Sequence, residues 1–283
     1  MFTAGQLNLS KLLQDSNKMK NLKKNMPVVL RRFKKSENVL LISDFDGTLS
    51  PIAEKPEKAL LPAKAKNILK NWSSVGPVAI VSGRSLRDVK AKVGIKNLIY
   101  AGNHGAEWQI DGKYDSLKFD PRIKKLIAAA KKEFKALVKK YPKSLIEDKK
   151  IAFSAHYRLL PTKKGRKFLK EAVELAKKYE KTGLISYSFG KKVIDIKPKT
   201  VVNKGVFCRF LLNHLEKETG KKFEVMYLGD DVTDEDAFKE FKSGITVFVG
   251  PKKKSFANYS IKNPTEVIDF LEESCKIIVE VKK

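Results

Sequence analysis

The stretch Val39-Leu-Leu-Ile-Ser-Asp-Phe-Asp-Gly-Thr-Leu-Ser-Pro51 constrains the fold more than any other part of the chain. Val39 to Ile42 form an unbroken apolar run, which suits a strand buried on both faces of a parallel sheet, and Gly47 and Pro51 break it. In an extended backbone, residues two apart project to one side, so Asp44 and Asp46 present two carboxylates together at the carboxyl end of the strand. Open α/β sheets bind ligands at that end. Two close anions raise each other's pKa, so the pair calls for a metal ion or for a proton shared between them. A polar turn closing a strand, with Asp and Gly chosen for turn geometry, is the plainer reading of the same residues.

The flanking sequence supplies the rest of such a sheet. Patterning predicts a helix over Pro62–Trp72, a buried strand over Pro77–Val81, a helix over Ser85–Val93 and a strand over Leu98–Ala101. This βαβαβ run is the signature of a parallel sheet with right-handed crossovers. The pattern then changes. Ile123, Leu126, Ile127, Ala130, Phe134, Leu137 and Val138 keep a helical period, strands follow, a second amphipathic helix runs near Thr162–Tyr179, and a hairpin turns around Gly190. After Pro198 the alternation resumes, with a helix over Lys204–Glu218, a strand over Phe223–Leu228, a helix from Thr233, a strand over Gly244–Val249 and a last helix after Asn263-Pro264. The expected architecture is an α/β Rossmann-like core, residues 37–119 and 199–283, split by a small inserted α+β cap domain, residues 120–198. Residues 1–36 are basic and lightly apolar. There Leu7, Leu9, Leu12 and Leu13 allow a helix packed on the core, a mobile arm or a membrane-surface segment.

Composition excludes some classes of function and leaves others open. No apolar run approaches the roughly 18 to 20 residues that span a bilayer, and the amino terminus has charges without the apolar segment of a secretory signal. The expectation is a cytoplasmic protein without a membrane span. Cys208 and Cys275 lie far apart in predicted helices and read as reduced, packed thiols. The 59 basic and 32 acidic residues give a formal charge of +27, which fits attraction to nucleic acid, to anionic membrane or to anionic metabolites. Lysine pairs such as Lys131-Lys132, Lys139-Lys140 and Lys177-Lys178 suit solvated helix faces. No nucleic-acid module or aromatic-studded basic stripe is present, so nucleic acid is not the expected partner. The sequence assigns no oligomeric state.

Four stations fall at the ends of predicted core strands. The first is Asp44 to Thr48. The second, Ser82-Gly83-Arg84, offers a hydroxyl and backbone N–H groups at a helix start, as a phosphate cradle does, although a plain capping serine fits too. The third is Lys204, whose ammonium at the head of a helix opposes the dipole and needs an anionic partner if it is buried. The fourth, Gly229-Asp-Asp-Val-Thr-Asp-Glu-Asp236, holds five acids in seven residues from Asp230, which exceeds what helix capping requires.

In order and character these stations resemble the haloacid-dehalogenase superfamily of phosphotransferases. More narrowly, Asp-Phe-Asp-Gly-Thr-Leu-Ser-Pro, Ile-Val-Ser-Gly-Arg, Gly-Asn-His-Gly over 102–105, Glu147-Asp148-Lys149 followed by His156-Tyr157-Arg158, Lys191 with Asp195, and the final acidic motif resemble the trehalose-6-phosphate phosphatase family over about residues 38 to 270. The family usually has Glu where Asp195 stands and Arg where Lys197 stands.

The resemblance implies an in-line attack by Asp44 on phosphorus to give an aspartyl-phosphate, with Asp46 protonating the leaving sugar oxygen and then activating water. It implies that Ser82 and Lys204 hold the phosphoryl oxygens. It also implies a Mg²⁺ ion on Asp44, the Asp46 carbonyl and Asp230, with Asp231 or Asp234 in support; Asp231 is taken as the fourth ligand. Gly83, Arg84, Asn103, His104, Glu147, Lys149, His156, Arg158, Lys191 and Asp195 are then substrate-side residues. His104 either bonds substrate or fixes its loop. The alternation of Ser154, His156 and Arg158 fits an exposed sheet face as well as a sugar-reading one. The implied substrate is trehalose 6-phosphate. Alternatives are sucrose phosphate, mannosyl-3-phosphoglycerate, or a non-catalytic protein of this fold that binds anions or nucleic acid.

Overall fold

In the computed structural model, which describes residues 19–54, 56–118, 120–149, 151–199, 203–251 and 254–281, the apolar runs pair as parallel strands and the amphipathic segments between them form helices. Along the chain, β1 (Lys20–Asn21) and α1 (Met26–Lys35) precede β2 (Val39–Ser43). Then come α2 (Ala63–Val75), β3 (Val78–Val81), α3 (Leu86–Val93), β4 (Ile99–Gly102), β5 (Glu107–Ile110) and β6 (Lys113–Ser116). The inserted part holds α4 (Pro121–Lys140), β7 (Leu145–Asp148), β8 (Phe153–His156), α5 (Thr162–Glu180), β9 (Ile185–Gly190) and β10 (Val193–Pro198). The chain returns through α6 (Lys204–Thr219), β11 (Glu224–Gly229), α7 (Glu235–Glu240), β12 (Ile245–Val249), β13 (Tyr259–Ile261) and α8 (Pro264–Val281).

Two compact units result, one from residues 1–115 and 202–283, the other from residues 116–201. The first is built on a nine-stranded sheet in the order β1-β13-β12-β11-β2-β3-β4-β5-β6. Every residue of β2, β3 and β12 is buried, because helices cover both sides and each strand face must be apolar. Strand β2 lies between β11 and β3, parallel to both, so the Asp44 station emerges from mid-sheet. Helix starts follow local chemistry. Ser85, not Ser82, caps α3 by accepting from Asp88 N, and Asn263 accepts from Glu266 N at the head of α8.

Parts of this unit go beyond the expected pattern. Strand β1 extends the sheet beside β13, and α1 sends Val29 and Phe33 into the core, so residues 20–35 are part of the first unit. Leu7, Leu9, Leu12 and Leu13 lie outside the described residues. Strands β5 and β6 finish the sheet's other edge, with β5 antiparallel to β4; their short, polar sequences carry little strand signal. Cys208 and Cys275 are buried free thiols, and no helix among the described residues is long and apolar enough to cross a membrane.

The second unit is a four-stranded antiparallel sheet, β7-β8-β10-β9, covered on one face by α4 and α5. Phe134 and Phe168 from the helices are buried in one cluster with Phe153, Ala155, Ile194 and Ile196 from the strands. The positive charge concentrates here, since residues 116–201 hold 25 basic and 8 acidic side chains. Long-range attraction for anions is therefore strongest at this unit.

Phe33 is fully buried and meets Trp72 edge-on, with ring centroids 6.3 Å apart. Phe33→Ala is expected to lower unfolding free energy by about 3–5 kcal/mol in urea titration. A loss under about 1 kcal/mol would mean that α1 is not part of the cooperative core.

Candidate active site

The carboxyl ends of β2 and β11 and the head of α6 bring three buried charges together. Lys204, 2% exposed, donates to Asp44 Oδ1 at 2.7 Å and to Asp234 Oδ1 at 2.8 Å. Burial would strip the ammonium of its proton, but the two carboxylates outweigh it and keep the lysine pKa raised. Asp44 is 5% exposed. Its pKa is pushed well up, first by desolvation and then by Asp234 and Asp230, while Lys204 pulls it down. Lys204 holds one Asp44 oxygen, and among the described residues the other accepts no hydrogen bond.

Asp234 organises this corner. Its Oδ1 accepts from Lys204 and from the Tyr227 hydroxyl at 2.7 Å, and its Oδ2 accepts the backbone N–H groups of Asp230 and Asp231 at 3.1 and 3.0 Å. Four donors fill an ordinary carboxylate. Carboxylate oxygens of Asp44, Asp230 and Asp234 lie within 4.8 Å of one another. With Asp234 filled, Asp44 and Asp230 are the side chains placed to hold a cation. Asp231 stands apart from that cluster, because its Oδ1 caps the following turn through Val232 N at 2.8 Å.

Asp46 points elsewhere. Arg84 grips it with both prongs, Nε to Oδ2 at 2.6 Å and Nη2 to Oδ1 at 2.7 Å, while Nη1 reaches Asp88 at 2.6 Å. Ser82 is buried, and its Oγ accepts from Arg84 N at 3.1 Å. The 102–107 loop locks against this turn. Asn103 and His104 both take left-handed backbone angles, φ 51° and 60°, and His104 N donates to Ser82 O at 2.9 Å. The His104 ring lies on Gly83, where a β-carbon would come within 2.7 Å of it. Glu107 accepts from Leu86 N and Asn103 Nδ2 at 2.8 and 2.7 Å, which ties the loop to α3.

The second unit carries a polar cluster on the sheet face away from its helices. Register places Glu147 beside Ser154 and Ser154 beside Asp195. His156 Nε2 and Glu147 Oε2 are 2.8 Å apart, Lys149 reaches Asp195 at 3.2 Å, and Ser154 donates to the same Asp195 oxygen. Arg158 and Lys191 are exposed beyond the strand ends, and Arg158 donates to Lys191 O at 3.0 Å. The strand that the alternation of Ser154, His156 and Arg158 implies runs only over Phe153–His156, so Arg158 does not share a strand face with the other two.

The structure thus gathers Asp44, Lys204 and Asp230 in one cluster, Asp46, Ser82, Gly83, Arg84, Asn103 and His104 around one turn, and Glu147, Lys149, His156 and Asp195 on one sheet. Sequence reasoning missed Tyr227, Asp88 and Glu107. Tyr227 sits inside an apolar strand and reads as core, and Asp88 reads as first-turn helix chemistry.

Gly47 shows what the close approach of Asp230 requires. It has φ +82°, and a β-carbon there would collide with the Asp230 carboxylate. Gly47→Ala is expected to cost at least about 1–2 kcal/mol from the left-handed backbone alone. Urea unfolding checks it, and an unchanged midpoint would refute the placement of Asp230 against this turn.

Comparison with known proteins agrees with the geometry. The profile of the trehalose-phosphatase family matches residues 42–265. Trehalose-phosphate phosphatase B of Arabidopsis thaliana is 32% identical over 254 residues, covering 84% of this chain and 66% of the plant protein. Probable trehalose-phosphate phosphatase E of the same plant is 32% identical over 270 residues, covering 88% of this chain and 75% of its own length. Among solved structures, the C-terminal domain of Candida albicans trehalose-6-phosphate phosphatase superposes with a TM-score of 0.80 at 27% identity, covering 92% of this chain and 99% of that one. A profile matched over most of the chain and relatives above 30% identity, on a fold that sets Asp44 against Lys204, make this chain a member of the trehalose-phosphatase family.

Proposed function

We propose that the chain is a Mg²⁺-dependent phosphatase that hydrolyses trehalose 6-phosphate to trehalose and phosphate. The observation that carries the reading is the buried Lys204 ammonium, 2.7 Å from Asp44 and 2.8 Å from Asp234, in a member of this family. The free Asp44 oxygen attacks phosphorus; a P–O bond forms to the aspartate and the bond from phosphorus to the sugar oxygen breaks. Asp46 gives the sugar oxygen its proton and then takes one from the water that attacks the aspartyl-phosphate. Lys204 screens the charge on Asp44, and the Ser82 turn receives the phosphoryl oxygens. Positioning and electrostatics supply most of the acceleration in such a transfer.

The donor set suits a hard divalent cation, since it is all oxygen and its carboxylates lie within 4.8 Å of one another. Asp44 and Asp230 would hold the ion, with the Asp46 carbonyl as the resemblance implies. When bound, Mg²⁺ neutralises charge on the nucleophile and the phosphoryl group. The sheet-face cluster of the second unit, Glu147, Lys149, His156 and Asp195, together with Arg158 and Lys191, reads the sugar hydroxyls.

Phosphate release from trehalose 6-phosphate, measured with Mg²⁺, with a chelator, and beside a panel of other sugar phosphates, tests the reading. Metal-dependent turnover preferring trehalose 6-phosphate by at least about tenfold in kcat/KM is expected. A higher kcat/KM on sucrose phosphate or another ester would reassign the substrate. Asp44→Asn is expected to lower kcat by at least about 10³-fold. Lys149→Ala and Arg158→Ala are expected to lower kcat/KM on the sugar phosphate about tenfold while sparing a small aryl phosphate. Equal losses on both esters would remove the second unit from sugar recognition.

A further inference from the structure

The chemistry just proposed asks Asp46 to deliver one proton and accept another at two different oxygens, of the sugar and of water. A carboxylate swinging about two single bonds does this poorly, because effective concentration falls steeply with misorientation. The Asp46 side chain is 36% exposed and lies just past the end of β2, where a backbone bridge to Ser50 fixes the main chain but not the plane of the carboxylate. Arg84 provides the orientation. Its guanidinium, 7% exposed, meets both Asp46 oxygens at 2.6 and 2.7 Å in the planar fork geometry that fixes a carboxylate's plane as well as its position.

The guanidinium is itself held. Nη1 donates to Asp88 at 2.6 Å, and the Arg84 Cζ lies 5.6 Å from the centroid of the Phe45 ring. Asp88 is in the first turn of α3, four residues after Arg84, and that turn is pinned by Ser85 through Asp88 N. A continuous path runs from the capped helix start through Asp88 and Arg84 to Asp46. The fork occupies one lone pair on each Asp46 oxygen and leaves another on each for the reaction's proton.

We infer from this geometry that Arg84 and Asp88 are positioning residues for acid–base catalysis by Asp46. Arg84 is thereby reassigned from the substrate side to the support of Asp46. The inference rests on the phosphatase reading and adds to it a role for α3, whose first turn sets the plane of the catalytic carboxylate.

Leaving-group dependence tests the role, because kcat/KM reports steps only up to departure of the leaving group. A sugar oxygen needs a proton to leave; 4-nitrophenolate does not. Asp46→Asn supplies the reference pattern, with a large loss on the sugar phosphate and a small one on 4-nitrophenyl phosphate. Arg84→Lys keeps the charge but loses the fork, and Asp88→Asn weakens the anchor by replacing its charged acceptor with an amide one, at a side chain that is 40% exposed, which protects folding.

The expected losses on the sugar phosphate are about 10²-fold for Arg84→Lys and about tenfold for Asp88→Asn, with less than about threefold on the aryl ester for either. Thermal unfolding of each variant, run alongside, identifies any loss that comes from misfolding; Asp88→Asn then carries the test. Equal losses on both esters in folded variants, or undiminished turnover of the sugar phosphate, would overturn the inference while leaving the phosphatase reading intact. A wild-type chain inactive on every ester would overturn both. A wild type active on a different sugar phosphate changes only the alkyl ester used in the comparison.

Discussion

A lysine ammonium with 2% exposure is the interaction on which the rest of the site depends. Taking such an ion out of water costs several kcal/mol, and its place at the head of α6 adds an unfavourable helix dipole. Only two carboxylates within 2.8 Å make the arrangement tenable, and each comes from a different crossover of the sheet. β2 must end beside β11, and α6 must pack close enough to reach both. Gly205 allows this last approach, since a β-carbon there would press on the Asp236 carbonyl. The cluster is thus a consequence of topology, and it adds little stability of its own; paired buried ions rarely do.

The parallel core was legible because strands buried on both faces read as unbroken apolar runs, and because the functional residues follow those runs directly. Asp44 after Val39–Ile42, Ser82 after Pro77–Val81 and Asp230 after Phe223–Leu228 need no more than strand counting to be placed at one end of one sheet. What strand counting cannot give is direction. Ser82 and Ser85 are both plausible caps by sequence, and only the backbone path decides that Ser85 caps α3 while Ser82 turns inward. Tyr227 was invisible for a related reason. A tyrosine in an apolar strand is ordinary core, and its hydroxyl becomes chemistry only because Asp234 returns from the next turn to meet it.

The edges of the sheet were hidden by a different cause. β1 and β13 are short, and β5 and β6 are polar enough to read as loop, since an edge strand has only one neighbour to satisfy and little apolar surface to bury. In the inserted unit the helical period and the hairpin at Gly190 set the elements, but alternation alone gives the same pattern for a bare sheet face and for a recognition face. Register adds what alternation lacks. It aligns Glu147, Ser154 and Asp195 across three strands, and ion pairs and hydrogen bonds then link that row to His156 and Lys149.

Two carboxylates two residues apart meet opposite environments, and the contrast suits the division of chemistry proposed for them. Asp44 is buried against an ammonium, a point charge that can neutralise one oxygen without fixing the plane of the group. Its other oxygen stays free to form a bond. Asp46 is partly exposed against a guanidinium, which fixes the plane through both oxygens while leaving a lone pair on each. A nucleophile needs an unblocked atom, and an acid–base group needs an aligned one. Exchanging Lys204 and Arg84 would block the proposed nucleophile and free the proposed acid–base group to swing, so on this reading each cation is specific to its partner.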